Sequence, residues 1–166
     1  MNLGSGLASG LSFDAYIALG GNLGDARPTL TQAIQNLASL PDTELLRASS
    51  LYRTAPIDAS GPDFINAVAL VRTQLKPHEL LAALQAQENA QGRLRPYRNA
   101  PRTLDLDIVC MFGPEGEVRM NNATLTLPHP RMQERAFVLV PLAEIAPELV
   151  SAAQLSAVAD QSISRV

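Results

Sequence analysis

Four short runs rich in branched and apolar residues alternate with two segments of helical periodicity. Their order, βαββαβ, limits the possible folds more than any other feature of the chain. "AYIALG" (15–20) reads as a strand ending in the turn "GGNLGD". From Arg27 to Leu40, the residues Leu30, Ala33, Ile34 and Leu37 recur at helical spacing, with Asp25 as N-cap and Pro28 in the first turn. "ELLRASSLYR" (44–53) and "FINAVALVRTQL" (64–75) suit two more strands, and the loop between them, 54–63, is long for a plain hairpin. "KPHELLAALQAQENAQG" (76–92) is helical, with Leu80, Leu81 and Leu84 inward and Gly92 as stop. Residues 103–112 supply the last strand.

This order belongs to the split βαβ sheet. The expected fold is α+β: a ferredoxin-like βαββαβ core, mostly antiparallel sheet with helices packed on it, plus C-terminal β/α additions. Those additions are a short strand in "LTLP", a helix over 131–146 interrupted at Pro141, and a short helix from Ser151 with a frayed end. One domain over 14–166 is expected, after a flexible leader at 1–13 that lacks the charged and apolar regions of a secretory signal.

Composition excludes several function classes. The net charge of −3 gives no bulk basic field for duplex nucleic acid or an anionic membrane. No apolar run approaches the ~20 residues that span a bilayer, so a soluble cytoplasmic chain is expected. Cys110 is the only cysteine, which rules out an intrachain disulfide or a cysteine-rich metal site. Lys76 is the only lysine, whereas Arg93, Arg95, Arg98 and Arg102 fall within ten residues.

That arginine cluster leads into "PRTLDLDIVCMF" (101–112), a core-type strand carrying Asp105 and Asp107. Alternation puts both carboxylates on one face and Leu104, Leu106 and Ile108 on the other. At ~3.3 Å per residue the two acids stand roughly 6–7 Å apart. Their repulsion is about 2.5 kcal/mol at an effective dielectric near 20. Solvent, structural Asp–Arg pairs, or cations between the carboxylates would each relieve it. Hard oxygen donors without a Cys or His cluster suit Mg²⁺ rather than Zn²⁺. Planar guanidinium groups beside such a site match a nucleoside triphosphate. "GGNLGD" lacks the lysine and spacing of a phosphate loop and reads as turn plus helix cap.

Phe64 and Asn66 share a strand face, pairing an aromatic platform with an amide suited to the edge of a flat heterocycle. Gln85 and Glu88 form an i, i+3 pair on a helix. His129, between prolines in "LPHPRM", reads equally as a rigid turn residue or as a phosphate donor.

Taken together, "YIALGGNLGD", "SSLYRTAPI", "DFINAV", "QGRLR", "PRTLDLDI" and "LTLPHPRMQERAFVLVPLAEIAPEL" resemble the 6-hydroxymethyl-7,8-dihydropterin pyrophosphokinases of folate biosynthesis, over roughly 15–150. The resemblance implies transfer of pyrophosphate from ATP to the pterin hydroxymethyl oxygen, releasing AMP, by a monomer with small-molecule substrates and no nucleic acid or membrane partner. It implies Asp105 and Asp107 as holders of two Mg²⁺ ions, and Arg93 and Arg102 as catalytic arginines. Arg95, His129 and Arg135 match triphosphate contacts, and Gln85, Glu88, Ile108 and Thr126 the ATP site. Thr54, Ala55, Ile57, Phe64, Asn66 and Phe137 match the pterin pocket, with loops 54–63 and 93–102 as lids. Asn99 and Ala100 stand where many members carry Trp-Gly, leaving Tyr97 as a substitute stacking group; Thr124 stands at a position that can be Arg, and Pro130 where a Tyr often follows the histidine. Two other readings share the topology: a two-metal palm-like nucleotidyltransferase or cyclase, and a non-catalytic RRM-type RNA-binding module.

Overall fold

The computed structural model describes residues 11–22, 26–55, 62–92 and 104–166. The βαββαβ order holds. Strand β1 (Phe13–Gly21) leads to helix α1 (Ala26–Leu37), β2 (Thr43–Ala48), β3 (Tyr52–Thr54), β4 (Phe64–Thr73), helix α2 (Pro77–Gly92) and β5 (Asp105–Gly113). Small strands β6 (Gly116–Glu117), β7 (Met120–Asn121) and β8 (Thr126–Leu127) follow, then helix α3 (Ala136–Ile145), helix α4 (Ala152–Ala157) and β9 (Ile163–Arg165). The main sheet runs β6-β5-β1-β4-β3-β9, with β2 also pairing β4 and every pairing antiparallel; β7 and β8 pair separately.

The sheet is buried on both faces, which explains why β4 is apolar at almost every position. On the first face α1 packs Leu30, Ala33 and Leu37, and α2 packs Leu80 and Leu84, against Ile17, Leu19, Ala67 and Leu106. On the second face α3 packs Val138, Leu139, Leu142 and Ile145 against Tyr16, Val68, Leu70 and Cys110.

Three sequence expectations are corrected. The single strand over 44–53 is two strands. Between them Ser49 donates its N–H to the Val68 carbonyl (2.8 Å) and accepts the Val68 N–H on its hydroxyl (3.0 Å), replacing regular pairing with a side-chain bond. Helix α3 is not interrupted at Pro141, which lies inside it. The ring removes the bond that the Phe137 carbonyl would accept, but Val138, Leu139, Leu142 and Ile145 are buried on either side and hold the helix together. After α4, which starts at a capping box between Ser151 and Gln154, the chain does not fray: it forms β9 and pairs with β3.

Candidate functional site

The site is assembled by strand register. Asp105 lies opposite Gly20, Gly20 opposite Asn66, and Asn66 opposite Tyr52, in one straight line across four strands. Asp107 lies opposite Ala18, and Ala18 opposite Val68, in the adjacent line on the same face. With strands ~4.8 Å apart, Asp105 and Asn66 stand roughly 10 Å from one another. The residue between them is Gly20, and Ala18 holds the matching place between Asp107 and Val68, so β1 presents only small residues here. A Cβ at position 20 would meet Asn66 Oδ1 at 3.0 Å, so only glycine leaves that amide undisturbed.

Asp105 is half-buried and Asp107 exposed, whereas Leu104, Leu106 and Ile108 are buried. The leucines and Ile108 pack down and the acids lie on the opposite face, as alternation requires. The pairing of β1 and β5 shifts between Tyr16 and Ile17, and Val109 and Cys110 both enter the second core. The bulge leaves the Val109 carbonyl to accept the His129 N–H at 2.8 Å, docking "LPHP" beside the acidic strand. His129 Nδ1 accepts the Arg131 N–H at 3.2 Å, which leaves Nε2 to carry the proton of the neutral ring.

Glu88, on α2, reaches the same strand: its carboxylate accepts the N–H of Leu106 at 2.7 Å. Gln85 is exposed one turn earlier. The Ile108 side chain is in the first core, so whatever it offers to the cleft comes from its main chain. Thr126 is half-buried on β8, its hydroxyl 3.5 Å from Asn121 Oδ1.

On the other side of Gly20, Asn66 is 4% exposed and donates from Nδ2 to the hydroxyl of Thr54, itself 7% exposed, at 3.0 Å. Phe64 is half-buried and lies opposite Thr54, while Ala55 is exposed. Phe137 is half-buried at the margin of the second core, with the Arg135 guanidinium 5.4 Å over its ring. Arg135 is thus stacked on an aromatic residue rather than extended. Thr124, the departure from Arg, bonds His78 Nε2 at 3.0 Å. Arg93, Arg95, Arg98, Arg102, Ile57, Asp25, Tyr97, Asn99 and Ala100 lie outside the described residues.

Sequence reading missed one polar cluster. Tyr52 donates its hydroxyl to Glu144 of α3 at 2.6 Å, and Glu144 also accepts the Ser50 N–H (3.0 Å) and hydroxyl (3.0 Å). Partial burial opposes the Glu144 charge, but the bonds from Tyr52 and Ser50 outweigh it and hold the carboxyl below its usual range. Burial and the Glu144 bond together push the Tyr52 hydroxyl up. Alternation alone puts Tyr52 and Thr54 on one face; nothing local pointed to a glutamate 92 residues further along as its partner.

Among the described residues there is no group of three or more His, Cys, Asp or Glu able to hold a metal. Asp105 and Asp107 together would offer a metal two carboxylates, with the other coordination positions left to substrate oxygens and water. That donor set fits Mg²⁺, which is typically held by one or two carboxylates plus phosphates, and does not fit Zn²⁺.

Two carboxylates and a buried amide on one face of a ferredoxin-like sheet suit phosphoryl transfer to a flat acceptor. Comparison with known proteins identifies the family. Residues 16–147 match the model for "7,8-dihydro-6-hydroxymethylpterin-pyrophosphokinase (HPPK)", and the chain belongs to this family. A Pseudomonas aeruginosa 2-amino-4-hydroxy-6-hydroxymethyldihydropteridine pyrophosphokinase is 47% identical over 135 residues, covering 81% of each chain. The Bacillus subtilis protein of the same name is 42% identical over 153 residues, covering 92% of this chain and 89% of its own. A crystal structure of wild-type Plasmodium falciparum HPPK-DHPS superposes with a TM-score of 0.62 at 14% identity. It shares the fold over 80% of this chain, which spans only 40% of that longer protein. Family membership selects the pyrophosphokinase over the palm-like and RNA-binding readings.

Proposed function

We propose that the chain transfers the β,γ-pyrophosphoryl group of ATP to the hydroxymethyl oxygen of 6-hydroxymethyl-7,8-dihydropterin, in folate biosynthesis. The observation that carries this reading is the Asp105–Gly20–Asn66 line, with a carboxylate at one end and a buried amide at the other, on one face and about 10 Å apart. A bicyclic pterin hydrogen-bonded to Asn66 spans that gap with its hydroxymethyl arm directed at the acids.

Asp105 and Asp107 are the holders of Mg²⁺, and two ions are proposed. When bound, the metal neutralises triphosphate charge and keeps the phosphate oxygens in place. Asn66, its orientation set by Thr54, reads the polar edge of the pterin, and Phe64 and Phe137 stack on its faces. Ala55 and Ile57 complete the pocket wall. The hydroxymethyl oxygen attacks the β-phosphorus in line, the bond from that phosphorus to the α–β bridging oxygen breaks, and AMP leaves; the hydroxyl proton passes to solvent. Such a transfer asks the protein for positioning and charge neutralisation more than for a strong base.

Arg93 and Arg102 carry the neutralising charge in transfer, and Arg95, His129 and Arg135 hold the triphosphate, His129 through its Nε2 proton. Gln85, Glu88, Ile108 and Thr126 border the nucleotide. Arg135 leaves the face of Phe137 when it turns to phosphate, which frees that face for the pterin. The protein is proposed to act as a cytoplasmic monomer.

Steady-state kinetics with both substrates tests the assignment. Asn66→Ala raises KM for the pterin about tenfold or more with ATP binding intact, and Asp107→Ala abolishes Mg²⁺-dependent turnover while leaving Tm equal or higher. Equal losses for both substrates in Asn66→Ala, or large destabilisation in Asp107→Ala, would show these groups to be structural instead.

A further inference from the structure

Strand β9 lies beyond residues 16–147, the span matched by the family model, yet it joins the sheet beside the pterin end of the cleft. Its partner β3 is only three residues long and carries Thr54, the hydroxyl that orients Asn66. A three-residue edge strand has few ladder bonds and an unpaired side, and it frays easily. Pairing with β9 turns β3 into an interior strand held from both sides, Tyr52 lying opposite Arg165 and Thr54 opposite Ile163.

Arg165 adds a side-chain lock. Its guanidinium sits 5.6 Å over the Tyr52 ring and donates to the Tyr52 hydroxyl at 3.2 Å. It also lies 3.7 Å from Glu144 Oε1. Tyr52 donates its own hydroxyl hydrogen bond to Glu144, which accepts from Ser50 as well, so β3 and Ser50, two residues ahead of it, are tied to the same helix α3 that carries Phe137. The polar chain Arg165–Tyr52–Glu144–Ser50 thus joins the two elements that supply the pterin pocket.

We propose that β9 is a positioning element for the pterin end of the site: through Arg165 it holds Tyr52 and Glu144 together, and so fixes β3 and the Thr54–Asn66 pair. Arg165 touches neither substrate in this scheme and acts through Tyr52. The inference rests on the pterin reading of Asn66, so the test keeps the two separable.

Arg165→Ala, Arg165→Lys, Ser164→Pro and Asn66→Ala are compared in the full-length chain by pterin titration, two-substrate kinetics and thermal melting. Ser164→Pro places a residue without an N–H in the middle of β9. Expected for Arg165→Ala is a rise in pterin Kd and KM of about three- to tenfold, with kcat and the ATP KM within about twofold. Lysine, which keeps the cation and a donor to Tyr52, recovers part of the loss, and Ser164→Pro shows the same pterin-selective defect. Unchanged pterin Kd in Arg165→Ala and Ser164→Pro, alongside a loss in Asn66→Ala, overturns the role of β9 alone. A parallel rise in both KM values overturns it too, since that is what general loosening gives. If Asn66→Ala also leaves pterin binding intact, the inference falls together with the reading beneath it.

Discussion

The carboxylate of Glu88 accepts the backbone N–H of Leu106, the residue between Asp105 and Asp107, at 2.7 Å. An acidic side chain on a helix thereby anchors the strand segment that presents both acids proposed to hold metal. Bonds to charged acceptors contribute about 1.5–3 kcal/mol. Glu88→Ala is expected to lower stability by about that much and to raise the Mg²⁺ concentration needed for half-maximal turnover. Glu88→Gln, whose amide oxygen can still accept, is expected to keep most of both. A magnesium titration of initial rates alongside a denaturant melt reads the two effects. An unchanged Mg²⁺ requirement in Glu88→Ala would remove Glu88 from any part in setting the acidic pair.

Gly20 gives a prediction that separates stability from binding. Its added Cβ would stand 3.0 Å from Asn66 Oδ1, and Asn66 cannot retreat freely because Nδ2 is bonded to Thr54. Removing a strand glycine lowers unfolded-chain entropy, a gain of about 0.4–1 kcal/mol. Displacing the buried Asn66–Thr54 bond costs about 0.5–1.5 kcal/mol and roughly offsets that gain, so Gly20→Ala should melt within a few degrees of the parent while its pterin KM rises several-fold. A fall in Tm with normal pterin binding would mean the close approach matters for packing alone.

Cys110 sets an alkaline limit. Burial, with a smaller contribution from Glu117, pushes its thiol from 9.0 up to about 12. The folded state keeps this proton while the unfolded chain loses it, so stability falls as pH rises from about 9 towards 12, by up to roughly 4 kcal/mol. Tyr16 and Tyr52, both raised from 10.0, act in the same direction from that pH upward. In chemical-denaturation curves taken across this range, Cys110→Ala should postpone the onset of the decline. Superimposable pH profiles would contradict the assignment.

Glu144 works at the acid end with the opposite sign. Its carboxyl is held below 4.5 when folded, so its contribution is complete at neutral pH and fades as pH drops through the folded value. Glu144→Gln should cost stability at pH 7 and progressively less below pH 4; a constant difference across that range would exclude an ionised Glu144 in the Tyr52–Ser50 cluster.

Much of this was legible in the residues themselves, and the limits are physical. Alternation in "TLDLDIV" separated Asp105 and Asp107 from the buried leucines, because period 2 is a property of any strand. The shared face of Phe64 and Asn66 followed for the same reason. Three features were not legible. Glu88 reads as half of an exposed helical pair, and its bond to a backbone N–H depends on how α2 docks against the edge of β5. Pro141 predicts a break by local rules, yet burial on both sides of it overrides them. Strand β9 has no strong pattern in "SISRV"; its strand geometry comes from the open edge of β3, which exists only once the sheet has formed.

The most direct test of the account is phosphorus NMR of the protein mixed with ATP, Mg²⁺ and 6-hydroxymethyl-7,8-dihydropterin. AMP and a new diphosphate ester should grow in equal amounts, only when the pterin is present. ADP with a monophosphate ester, release of free pyrophosphate, or an unchanged ATP spectrum would contradict it.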